Sequence, residues 1–140
     1  MTDCITTAWT VHTAESTPAR YGHHAPVVGD YAYLIAGQFG SEGLLHQRYH
    51  FPTDTWSTRT APPTNVAGTR PVAFGNKIHC FGGNSTYSGM DSFTMHLVYD
   101  IVGDSWSTAA AIPDFGRREA GVASDGTYIF LAGGSGGSPI

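Results

Sequence analysis

The sequence predicts an all-β chain built from repeated four-stranded antiparallel units. Three observations carry that reading. A tryptophan block recurs as Thr7-Ala8-Trp9-Thr10, Asp54-Thr55-Trp56-Ser57-Thr58 and Asp104-Ser105-Trp106-Ser107-Thr108. Its spacing falls in the roughly 40–50-residue period of stacked units such as propeller blades or a solenoid. A second block keeps the same beat: an apolar run closed by small residues, over 31–37, 77–83 and 128–134. Finally, no window carries a competing 3.6-residue apolar period, and prolines at 18, 26, 52, 62, 63, 71 and 113 break up long helices.

The elements follow in chain order. Short runs rich in small and β-branched residues, Ala25-Pro26-Val27-Val28, Pro71-Val72-Ala73-Phe74 and Gly121-Val122-Ala123-Ser124, lead into Gly29-Asp30, Gly75-Asn76 and Asp125-Gly126. Such dipeptides supply the positive φ of tight hairpins, so the runs on either side read as paired strands. Strand A of each unit is expected over 21–28, 69–74 and 119–124, and strand B over 31–37, 77–83 and 127–133. Strand C is expected over 44–51 and 93–101, where Tyr49 and Tyr99 each precede their tryptophan by seven residues. Strand D is expected over 55–60 and 105–110, with an earlier copy around 8–11 and a stub of C in 2–5.

These residues resemble the kelch repeat, an apolar run closed by Gly-Gly, then a Tyr, a Trp, a Pro and often an Arg opening the next unit. Gly82-Gly83, Tyr99, Trp106, Pro113 and Arg117 match in order, and Gly37, Tyr49, Trp56 and Pro62 match with Ala36 in place of the first glycine. Val66 departs from the pattern, standing where Arg20 and Arg117 stand, with Arg70 four residues later. The resemblance implies a β-propeller of four-stranded blades and no particular activity. On this reading 1–140 is a single domain: blade one about 20–60, blade two about 66–110, and a partial blade 117–140 completed by an N-terminal strand in 1–12. Trp9, Trp56, Trp106, Tyr49, Tyr99, Gly82, Gly83, Gly133 and Gly134 are read as structural, the aromatics packing blade on blade and the glycines allowing positive φ or close backbone approach.

Propellers have roughly four to eight blades, so about three per chain make half a ring. Two copies would give about six blades, and a homodimer closing the ring is therefore expected.

Composition narrows the function classes. Charged residues are 13% of 140, with 7 Lys and Arg against 11 Asp and Glu and a net charge of −4, so nucleic acid is not an expected partner. No apolar run approaches the roughly 18 residues of a membrane helix, so no membrane partner is expected. Met1-Thr2-Asp3 leads into neither a basic nor an apolar signal region, which favours a cytoplasmic location. Cys4 and Cys80 show no metal or redox spacing, and Cys80 reads as a buried free thiol. Seven histidines form no metal-spaced cluster: His23 and His24 are adjacent, and His46 and His50 lie about 13 Å apart on a strand. His79 and His96 show no partner in the sequence, and neither metal nor cofactor is expected.

By kelch geometry the D–A loops (13–21, 61–69, 111–119) share one propeller face with the B–C loops (38–43, 84–91 and 135 onward). Arg20, Arg70, Arg117 and Arg118 fall at or just after D–A loops, where guanidinium forks suit carboxylates and phosphates or brace backbone carbonyls. The candidate ligand-binding residues are Arg20, Tyr21, Arg70, Asn84, Tyr87 and Arg117, with no catalytic residue assigned. Glu42, Asp91 and Glu119 are the loop carboxylates able to act as acids or bases. The expectation is a self-assembling binding or scaffold module for a small polar ligand or acidic peptide. The alternatives are an enzyme on the same face acting on a carbohydrate as mutarotase, lyase or hydrolase, and a minimal propeller, engineered or cut from a longer one, with no evolved ligand.

Overall fold

A computed structural model describes residues 11–14, 21–35, 37, 44–83, 93–113 and 115–136. Its described residues form ten strands and no helix. The strands are β1 (Val27–Val28), β2 (Tyr31–Ile35), β3 (His46–His50), β4 (Thr55–Thr58), β5 (Arg70–Phe74), β6 (Lys77–Phe81), β7 (His96–Asp100), β8 (Ser105–Thr108), β9 (Gly121–Ser124) and β10 (Ile129–Ala132). They make three antiparallel sheets: β1 to β4 in order, β5 to β8 in order, and the pair β9–β10. Each strand lies within the span expected from the sequence, trimmed at its ends. The N-terminal strand expected over 8–11 falls outside the described residues apart from Val11, which is not in a strand.

Register repeats from sheet to sheet. Tyr49 pairs with Trp56 in the first, and Tyr99 with Trp106 in the second. The first strand is the shortest because Pro26 has no N–H to donate. Its pairing continues upstream all the same: the carbonyls of Pro26 and His24 accept from the Tyr33 and Ile35 amides at 3.0 and 3.3 Å. Pro71 is tolerated inside β5 because β5 is a sheet edge.

The core is the seam between the first two sheets. Tyr33 and Ile35 from β2 meet Ile78 and Cys80 from β6, Leu97 and Tyr99 from β7, and Val66, all buried. Strand alternation explains the division: Ile78 and Cys80 point back to sheet one, while His79 and Phe81 point the other way. The third sheet offers the same pattern without the same cover. Tyr33 is 1% exposed, whereas Phe130, at the equivalent place two residues before its small-residue closure, is 53% exposed. Edge strands β5 and β9 lie against each other and tie sheet two to sheet three.

The glycine pair at 82–83 is required by close approach. A Cβ on Gly82 would overlap the Arg117 carbonyl oxygen, and one on Gly83 would lie 2.8 Å from the Ala67 carbonyl. Both amides are used there: Gly82 donates to Met95 at 2.8 Å and Gly83 to Arg117 at 2.7 Å.

Candidate functional site

Two groups of polar side chains stand out, one beside the last strands β4 and β8 of sheets one and two, and one beside the first strands β1, β5 and β9. The first group is a clamp made twice. In sheet two, Tyr99 donates to Asp104 Oδ1 at 2.6 Å, the Thr60 amide donates to the same oxygen at 3.0 Å, and Trp106 Nε1 donates to the Thr60 carbonyl at 2.8 Å. In sheet one, Tyr49 donates to Asp54 Oδ1 at 2.5 Å, the Thr13 amide donates at 2.8 Å, and Trp56 Nε1 donates to the Thr13 carbonyl at 2.9 Å. The sheet-two clamp thus grips the chain just after it leaves β4, and the sheet-one clamp grips Thr13. A basic group completes both: Arg59 lies 3.2 Å from Asp104, and His12 lies 3.6 Å from Asp54.

The electrostatics follow from these contacts. Burial, then the bond to Asp104, pushes the Tyr99 phenol up to about 12. Burial alone would raise the Asp104 carboxyl, but the bonds from Tyr99 and Thr60 and the Arg59 charge hold it below the usual range. Asp54 is lowered by the bonds from Tyr49 and Thr13. Asp54 and Asp104 adopt φ of 52° and 47°, a left-handed conformation that aspartate tolerates better than most residues. In both clamps Tyr49, Tyr99, Trp56 and Trp106 bond to groups of the chain itself.

The second group lies at the edges formed by β1, β5 and β9. His24 sits one bridge upstream of β1, opposite Ile35, and Arg70 opens β5 opposite Phe81. Glu119 precedes β9, and its amide donates to the Gly68 carbonyl at 2.9 Å, beside Arg70. Three sheets thereby bring a histidine, an arginine and a carboxylate to one region. Desolvation first, then the Arg70 charge, lowers the His24 pKa, with Glu119 opposing, so His24 is neutral at pH 7. The backbone marks the carboxylate as unusual. Gly22, Gly68 and Glu119 occupy equivalent places with φ of 69°, 65° and 55°, and the third alone is not glycine. A bulky residue held in that region stores strain, and such strain concentrates at functional sites.

The other candidates from the sequence are dispersed. Tyr21 is half-exposed beside Gly22. Arg117 Nη1 donates to the Gly133 carbonyl at 2.9 Å, and its buried Nε has no hydrogen-bond partner among the described residues. Arg118 bonds Ser135 through its Nε at 3.1 Å and through both backbone groups. Trp9, Arg20, Asn84 and Tyr87 lie outside the described residues. Val66, at the Arg117 position of its repeat, is fully buried in the core.

One expectation needs correction. His79 and His96 do have partners: each other, at 2.9 Å between His79 Nδ1 and His96 Nε2. His96 Nδ1 donates to the Ala110 carbonyl at 3.2 Å, so its Nε2 accepts and His79 Nδ1 donates. The register places His96 opposite Phe81 and His79 opposite Val98, neighbours across one ladder that spacing along the chain conceals. No group of three or more His, Cys, Asp or Glu able to hold a metal ion occurs among the described residues. No described helix is long and apolar enough to cross a membrane.

Comparison with known proteins bears on this geometry. No family model matches the sequence. The chain is 32% identical over 126 residues to N-(sulfonatooxy)prop-2-enimidothioate sulfolyase of Thlaspi arvense, a match covering 82% of this chain and 35% of the relative. Among solved structures, that of YjhT superposes with a TM-score of 0.76 at 20% identity, over 89% of this chain and 47% of its own. The chain spans about a third of the sulfolyase and just under half of YjhT. With YjhT it shares a fold.

Proposed function

We propose that the chain is a run of kelch-type propeller blades whose inner strand edges bind a small anionic ligand, a sulfate ester or carboxylate, between Arg70, His24 and Glu119. The observation that carries this is that the Arg70 and Glu119 charges both act on His24, with Glu119 held at φ 55° where two sister repeats use glycine. Arg70 offers the fork suited to a planar or tetrahedral oxyanion. Neutral His24 donates or accepts without adding charge. Glu119 accepts from hydroxyl or amide groups elsewhere on the ligand, which would select polar over purely ionic partners.

A second reading is favoured by the sulfolyase relative, whose name describes an enzyme acting on a sulfonated small molecule. On that reading the same site is catalytic, with Arg70 holding the departing oxyanion and Glu119 or His24 moving the proton.

Titration calorimetry with a panel of aryl and alkyl sulfates and hydroxy-carboxylates tests the site. Losing a charge-assisted pair worth about 1.5–3 kcal/mol weakens binding roughly ten- to hundredfold in Arg70→Ala. Added salt weakens the wild type in the same direction. Equal affinity in Arg70→Ala and Glu119→Gln, or no binding by any ligand at ~10 mM, overturns the reading. Release of inorganic sulfate from N-(sulfonatooxy)prop-2-enimidothioate distinguishes an enzyme from a binding module.

A further inference from the structure

We infer that His79 and His96 together seat a divalent transition metal ion, Cu²⁺ above all, with water filling its other positions. None of the three groups of the proposed anion site is needed for it. The two histidines lie 17 residues apart in the chain, a separation that carries no metal-binding signature.

The two complete sheets show what the fold itself requires. His46 opens β3 and His96 opens β7, and each gives Nδ1 to a backbone carbonyl, that of Thr60 at 3.0 Å and that of Ala110 at 3.2 Å. What faces this histidine differs between the sheets. The third residue of β2 is Tyr33, whose ring lies tilted with its centroid 6.2 Å from that of His46. The third residue of β6 is His79, whose Nδ1 comes within 2.9 Å of His96 Nε2. A tyrosine therefore satisfies the packing at this place, and sheet two carries a second imidazole instead.

The spacing suits one class of ion. Metal–imidazole bonds are about 2.0–2.1 Å long, so two nitrogens 2.9 Å apart subtend roughly 90° at a shared ion. That is the angle between neighbouring positions of a tetragonal ion, the geometry of Cu²⁺ and Ni²⁺. A tetrahedral ion such as Zn²⁺ would need the nitrogens about 3.3 Å apart. Two protein ligands also leave positions open, unlike the closed four-ligand shell of structural zinc.

One ring is held and the other can turn. His96 is fixed by the Ala110 carbonyl and by Phe81, stacked on it with centroids 4.3 Å apart at 28°. The carbonyl keeps the proton on Nδ1 and leaves a lone pair on Nε2, the arrangement found behind most metal-bound histidines. His79 has looser neighbours, Phe74 edge-on at 6.0 Å and Phe81 at 6.3 Å. Its Nδ1 proton, now given to His96, passes through solvent to Nε2 of the same ring on ligation, so the imidazole stays neutral. The ring then turns until both lone pairs meet at the ion. Both side chains are half-buried, so an ion reaches them from solvent. Burial chiefly lowers both pKa values, and His96 and then the Lys77 charge lower His79 further, which leaves both rings in the neutral form that binds metal.

Calorimetric titration of the full chain with copper, nickel and zinc chlorides tests this, in a Cys4→Ser background that removes the other thiol. One tight Cu²⁺ per chain is expected, bound at least about tenfold more tightly than Zn²⁺. His79→Gln keeps a donor for His96 but loses the ligand, and should weaken copper binding at least about tenfold. His50→Gln, in sheet one, should leave it unchanged. Electron paramagnetic resonance of the copper form should show coupling to two imidazole nitrogens, falling to one in His79→Gln. Bound copper should raise the urea midpoint of the wild type and not of the variant. Near-ultraviolet circular dichroism from the Tyr99–Trp106 stack reports whether the variant keeps its fold. If it does not, His79→Tyr, the residue sheet one carries at this place, replaces it. No copper bound below about 0.1 mM, equal affinity in the His79 variant (an adventitious ion only), a one-nitrogen spectrum in the wild type, or zinc bound as tightly as copper would overturn the proposal.

Discussion

Asp104 shows how much one side chain does in this molecule. It accepts from a buried phenol and a backbone amide, pairs with Arg59, and holds a left-handed backbone. Asp104→Ala removes all of these together and is expected to cost about 2–4 kcal/mol in urea unfolding. Asp104→Asn tolerates the same φ and keeps one acceptor, so it should cost roughly half as much; an equal loss would mean that charge, not geometry, holds the clamp. Glu119 is the opposite case. Its φ of 55° suits glycine, so Glu119→Gly should raise stability by about 0.5–1 kcal/mol, the relief of left-handed strain less the added freedom of the unfolded chain. The same substitution should weaken ligand binding, the usual relation at a strained site. A Glu119→Gly variant that is less stable than the wild type would show that the carboxylate has a structural role.

At the level of strands and turns, the sharpest expectation concerns the turn after β6. Gly82→Ala drives a methyl group into the Arg117 carbonyl, a backbone atom that cannot step aside, and loses the tie between sheets two and three. A drop of more than about 3 kcal/mol, or failure to fold, is expected; Gly75→Ala, where the methyl group meets nothing within 4 Å, should cost only the strain of its φ of 60°. The same elements show what could be read from residues alone. The Gly-Asp, Gly-Asn and Asp-Gly turns located the hairpins because positive φ leaves a chemical mark, and the Trp and Tyr repeats located strands C and D because pairing puts them face to face. Arg70 was also legible as a candidate from its place after a loop. Glu119 is legible as a loop carboxylate able to act as acid or base, but its place near His24 is not, since that depends on strands far apart in sequence. One signal was present all the same: glycine at 22 and 68 but glutamate at 119, visible once the repeats are aligned. The pairing of His79 with His96 left no such mark, because it depends on cross-strand register.

Across the whole molecule, pH should act in one direction. His24, His79 and His96 all have lowered pKa values, chiefly through desolvation, so the folded state prefers them neutral. As pH falls below 6.5 the unfolded chain takes up these protons first, and stability declines until the folded-state pKa values are passed. Asp54 and Asp104 are also lowered, so their contribution is fully present above the ordinary carboxylate range and is lost only as pH falls through their folded values. Urea midpoints should therefore fall in two stages, one beginning near 6.5 and one below about 4. His79→Phe should reduce the first stage and leave the second, and a first stage unchanged in that variant would rule out a contribution from this histidine.

The fully buried thiol of Cys80 has a further use. It lies in the seam between sheets one and two, and burial pushes its pKa up, so it is protonated and inert while the seam is closed. In a Cys4→Ser background, the rate at which a small alkylating reagent reaches it becomes a clock for how often those two sheets part. Comparing that rate with global unfolding would reveal whether neighbouring units separate one by one or only all together.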